Sequence, residues 1–92
     1  MVNILHFTAE WCGPCKQLTP IINELISENP SLRYKKIDVD QNNELSLKYN
    51  VRSIPTIIFE LNGTELNRVV GLTTKHNLKN IIDNIWELQI TK

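Results

Sequence analysis

Two periods of apolar residues alternate along the chain. Val2–Phe7 is a short, nearly continuous apolar run with Ile4, Leu5 and Phe7, the pattern of a buried strand. From Gly13 the period changes. Leu18, Ile21, Ile22, Leu25 and Ile26 fall at i, i+3, i+4, i+7 and i+8, one face of an amphipathic helix. Pro14 suits its first turn, where a backbone N–H has no intrahelical partner anyway. Pro20 lies in its middle and predicts a kink. Asn29 and Pro30 end it. Leu32–Asp38 reads as the next strand. Asp40 to Tyr49 reads as a short helix, capped by Asp40 or Asn42, with Leu45, Leu47 and Tyr49 facing inward. Thr56–Leu61 and Thr64–Val70 flank Asn62-Gly63, the strongest short hairpin signal. The last helix starts near Thr74, and Leu78, Ile81, Ile82, Ile85 and Trp86 repeat the helical spacing.

The predicted order is therefore β-α-β-α-β-β-α in one α/β domain over residues 1–92. The first two strands are joined by a helix and should be parallel with a right-handed crossover. The last two form an antiparallel hairpin. Arg33, Lys35 and Lys36 make the second strand basic, which suits a sheet edge, where charge discourages pairing with another chain.

Composition narrows the function classes. At 41% hydrophobic and 22% charged residues the chain reads as globular. Ten basic and ten acidic side chains balance to zero, which leaves no electrostatic footprint for nucleic acid or an anionic membrane. No apolar run approaches the roughly 18 residues of a membrane span. The first residues lack the basic flank of a signal peptide. A cytoplasmic monomer is expected.

The chemistry lies in the only two cysteines, Cys12 and Cys15. A bond between them closes too short a loop to restrict the unfolded chain much, so stapling explains them poorly. A zinc site wants four ligands, and only His6 and His76 remain, without ligand-like spacing. No metal is expected. Cys12 falls where a helix begins and Cys15 one turn inside it. On a helix that spacing leaves Cβ atoms about 5–6 Å apart, near disulfide reach. Unpaired N–H groups and the positive end of the helix dipole favour thiolate at Cys12. Cys12 is thus the expected nucleophile and the more exposed sulfur, and Cys15 the resolving thiol. Lys16 adds nearby positive charge.

Glu10-Trp11-Cys12-Gly13-Pro14-Cys15-Lys16, between a strand and a helix, resembles the active site of the thioredoxin family. The likeness continues through Pro20, Asp38-Val39-Asp40-Gln41-Asn42, Ile54-Pro55-Thr56, Asn62-Gly63 and Val70-Gly71-Leu72. It implies a thioredoxin-like fold, a four-stranded mixed sheet in the order 2-1-3-4 with three helices on its two faces. The tripeptide at Pro55 leaves cis and trans open by itself. The resemblance implies a cis bond facing the cysteines, with the backbone of Ile54 turned out to pair with an extended substrate. It also implies a mostly apolar docking surface of Trp11, Gly13, Pro14, Ile54, Pro55, Gly71 and Leu72 around Cys12.

Two departures from the family stand out. Its usual extra strand and helix before the first strand here are not found. Its buried Asp behind the second cysteine is matched by His6, and its nearby Lys by Lys36, which strand parity turns partly inward. Burial and Lys36 should both keep His6 neutral. A neutral His6 could take the proton leaving Cys15, or be a core histidine with no chemical role. The function implied is that of a protein disulfide reductase without a bound cofactor. Its partners would be disulfide-containing proteins and a thioredoxin reductase. The rival readings are a glutaredoxin-like enzyme fed by the glutathione system, a thiol oxidant or isomerase, and a binding subunit that does not use its thiols.

Overall fold

A computed structural model describes residues 2–90. The elements are β1 (Val2–Thr8), α1 (Gly13–Glu28), β2 (Arg33–Asp38), α2 (Asn43–Lys48), β3 (Thr56–Leu61), β4 (Thr64–Val70) and α3 (Lys75–Ile90). The four strands form one sheet in the order β2-β1-β3-β4. β1 pairs with β2 in parallel and with β3 antiparallel, and β3 pairs antiparallel with β4. The basic strand β2 is an edge, as its charges suggest.

Alternation along the strands builds two cores. Val2 and Ile4 of β1 and Ile57 and Phe59 of β3 lie against Leu18, Ile22 and Leu25 of α1 and Leu78, Ile82 and Ile85 of α3. Leu5, Phe7 and Ile58 of the same strands, with Ile37 of β2, pack on the other face against Leu45, Tyr49, Val51 and Ile54. β3 runs Thr-Ile-Ile-Phe-Glu-Leu with its first five residues buried, and the one charged side chain among them, Glu60, accepts from the Tyr49 hydroxyl at 2.9 Å. The hairpin turn needs left-handed backbone at both central residues, and Asn62 and Gly63 adopt φ of 53° and 81°.

α1 runs through Pro20, which sits on its exposed side. Other local expectations change. α2 is shorter than its pattern suggests. Asn42 takes its N-cap position without a side-chain cap bond, and its amide nitrogen donates to the Asp38 carbonyl at 3.1 Å. Asp40 does not cap it either. Leu47 is 73% exposed, since a six-residue helix has one inward stripe and Leu45 and Ser46 fill it. At α3, the Thr74 hydroxyl accepts from the Asn77 N–H at 3.1 Å, a capping contact where the helix was expected to start.

Candidate functional site

The turn between β1 and α1 carries both cysteines. They are joined by a disulfide with a Cα–Cα distance of 5.3 Å. Cys12 is the N-cap of α1, with extended backbone, and its Sγ accepts from the Cys15 N–H at 3.1 Å. The helix thus places a sulfur where serine or aspartate usually puts an oxygen. Pro14 lies in the first turn, and no acidic residue there opposes negative charge on Cys12. The expected ranking of exposure holds only narrowly. Cys15 is fully buried, but Cys12 is just 4% exposed, because Ala9, Val39 and Ile54 close around the pair.

Three loops meet at this turn. The Ile54-Pro55 bond is cis, and Ile54 packs on the disulfide cluster. Pro55 itself is buried, so the loop offers its neighbours rather than its own ring to solvent. The Gly71 N–H donates to the Pro55 carbonyl at 2.8 Å, tying the end of β4 to this loop. Gly71 has φ of 93°, a conformation that a side chain would oppose. Gly13, Pro14 and Leu72 are exposed, and Trp11 is 69% exposed. Trp11, Val39, Val51 and Ile54 line a groove of about 470 Å³, together with Asp40, Asn43, Ser46, Arg52 and Ser53.

The pattern of the chain does not reveal one partner of the site. The indole N–H of Trp11 donates to the Asp40 carboxylate at 2.8 Å across 29 residues. Asp40 reads in the sequence as a helix cap, and no local signal pairs it with Trp11. Asp40→Ala should therefore loosen the indole with little effect on the fold, by no more than about 1 kcal/mol for one exposed hydrogen bond. In a Trp86→Phe background, acrylamide quenching of Trp11 should rise. Equal quenching in both proteins would show that the carboxylate does not hold the ring.

Behind the turn, His6 is 0% exposed on the face of β1 that meets α1. Its Nδ1 lies 3.0 Å from the Tyr34 hydroxyl, and its Nε2 is buried without a partner. Burial first, and Lys36 second, push the imidazole down to about 4, so it is neutral at pH 7. Lys36 is the register partner of His6, but its side chain is exposed. The inward turn expected of Lys36 is not found, because β2 is an edge and a charged amine can reach water there. A groove of about 600 Å³ runs past Lys36, Lys16, Thr19, Thr8 and Asp38. His76 is exposed. Among the described residues no three His, Cys, Asp or Glu side chains gather as a metal site would need, and no helix is long and apolar enough to cross a membrane.

A family model described as Thioredoxin matches residues 2–84. The chain is 46% identical to a thioredoxin of Chlamydia pneumoniae over 80 residues, 87% of this chain and 78% of that protein. It is 42% identical to a thioredoxin of Mycoplasmoides gallisepticum over 79 residues, 86% of this chain and 79% of the other. Its fold superposes on the crystal structure of Fasciola hepatica thioredoxin with a TM-score of 0.85 at 36% identity, covering 90% and 79% of the two chains.

Proposed function

This chain belongs to the thioredoxin family and is a thiol-disulfide oxidoreductase, and from that premise we propose how its residues divide the work of reducing protein disulfides. The reading rests above all on the Cys12–Cys15 disulfide at the start of α1, with Cys12 Sγ receiving the Cys15 N–H. In the reduced protein the same N–H would meet a thiolate, and a charge-assisted hydrogen bond is the stronger kind. Cys12 therefore ionises first and attacks the substrate disulfide. Cys15, fully buried and inside the helix, stays a thiol until the mixed disulfide has formed.

The substrate lies on the surface of Trp11, Gly13, Pro14, Ile54, Gly71 and Leu72, with Pro55 supporting it from below. Apolar shape, with few charges, lets such a surface accept many partners. His6 takes the proton from Cys15 as Cys15 attacks Cys12. Its low basicity keeps the imidazolium short-lived, so the proton passes on to the departing substrate thiolate. Lys36 acts from the rim of the groove by opposing charge on His6. The chain works as a single domain and a cytoplasmic monomer, needs no cofactor beyond its cysteine pair, and draws electrons from a thioredoxin reductase.

Insulin reduction with two donor systems tests this reading. NADPH with thioredoxin reductase should sustain turnover, and glutathione with its reductase should not. Turnover on glutathione alone would make the chain glutaredoxin-like. No turnover with either would leave a binding subunit whose thiols are idle.

A further inference from the structure

The two ring nitrogens of His6 have unequal surroundings. A neutral imidazole carries one N–H, so one nitrogen donates and the other can only accept. If the Tyr34 hydroxyl donated to Nδ1, the ring hydrogen would sit on Nε2, a buried donor with no acceptor. Buried N–H groups without a partner are rarer in folded proteins than under-used acceptors. If instead Nδ1–H donates to the Tyr34 oxygen, Nε2 keeps a bare lone pair. The Tyr34 hydroxyl hydrogen then turns to solvent, which its half-buried place on the edge strand β2 allows. Burial raises Tyr34 above the ordinary phenol range, so that hydrogen is present at all ordinary pH.

We propose that Tyr34 is a positioning residue for disulfide exchange, its hydroxyl oxygen accepting Nδ1–H of His6 and so leaving Nε2 free to receive a proton in the core. The inference rests on the reading that His6 accepts the proton of Cys15. The tautomer decides whether that step is available at all. With hydrogen already on Nε2, the ring could take nothing there. With hydrogen on Nδ1, the bond to Tyr34 serves the neutral ring and the imidazolium alike, and nothing has to reorient during the transfer.

The step balances as follows. Cys15 S–H gives its proton to Nε2, and the thiolate attacks Cys12 Sγ. The Cys12–Cys15 bond forms as the bond from Cys12 to the substrate sulfur breaks. That sulfur leaves as a thiolate and takes the proton from the imidazolium directly or through solvent. Few other groups compete for His6. β2 supplies Tyr34 and Lys36, and Lys16 of α1 and Asp38 line the groove that Lys36 lines. The register neighbour on β3 is Ile57, and α3 adds apolar Leu78, Ile82 and Ile85 to that core.

The first test needs no variant. Nitrogen-15 shifts of His6 in the wild-type protein should report the Nδ1–H tautomer, and Tyr34→Phe should shift the population toward Nε2–H. Finding Nε2–H in the wild type overturns the proposal. The second test is kinetic. Decay of a preformed mixed disulfide at Cys12 should slow roughly tenfold or more in Tyr34→Phe, within the reach of acid–base contributions, and its pH profile should move. The initial attack by Cys12 should keep its rate. His6→Ala should slow the same decay, and the double variant should add nothing further. If His6→Ala slows decay and Tyr34→Phe does not, the role of Tyr34 is overturned while the relay stands. If neither slows it, the relay falls and the proposal with it.

Discussion

Cys12→Ser is expected to abolish disulfide reduction, whereas Cys15→Ser should halt the same cycle one step later. A serine at the N-cap keeps the helix, since its hydroxyl accepts the Cys15 N–H as the sulfur does. It cannot trade bonds with a disulfide, so insulin reduction should fall by on the order of a thousandfold or more, the scale on which losing a nucleophile acts. With Cys15→Ser the attack at Cys12 remains, but nothing resolves the product. Mass spectrometry should then find the variant covalently joined to substrate through Cys12. The opposite outcome, an adduct on Cys12→Ser through Cys15, would reverse the two roles. It would mean that the position of Cys12 at the helix terminus does not decide which sulfur ionises. Full activity in both variants would leave the chain without a thiol mechanism.

Acid should destabilise the fold through one residue more than any other. The folded protein holds His6 down to about 4 from the ordinary 6.5. The unfolded chain therefore takes up a proton first as pH falls. Stability from the neutral ring is complete above about pH 6.5 and is lost progressively down to about pH 4. At 1.36 kcal/mol per pH unit the loss is about 3 kcal/mol, a large share of what a small domain has. Urea unfolding at pH 7 and pH 4 would measure it. His6→Phe keeps a ring in the core and removes the titration, so wild type should lose about 3 kcal/mol more than the variant over that interval. Acidic groups are common to both proteins. Glu65, held low by its hydrogen bond to Arg68, cancels in the comparison. Equal losses in the two proteins would mean that His6 is protonated, or reaches water, in the native state.

The reactive pair is visible in the sequence, because every contact that matters is local. Cys12, Gly13, Pro14 and Cys15 are neighbours, and helix start signals act over three or four residues. The order of elements is legible for the same reason. Helical spacing at Leu18–Ile26 and Leu78–Trp86, and the Asn62-Gly63 turn, are written in consecutive residues. The weaker signals misled. Leu47 looks inward in a short apolar-polar run, yet α2 has room for one buried stripe. Lys36 shares strand parity with buried residues, yet an edge strand lets its amine escape.

Backbone preference and spacing within one or two turns suffice for the set of elements, the hairpin turn and the unequal cysteine pair, so these are carried by the order of residues. Folding as a whole brings Asp40 to Trp11, Gly71 to Pro55 and Tyr34 to His6 from 28 residues away. Such meetings depend on strand register and on how two cores share one sheet. No pair of residues encodes that alone, because it comes from the summed burial of the whole chain.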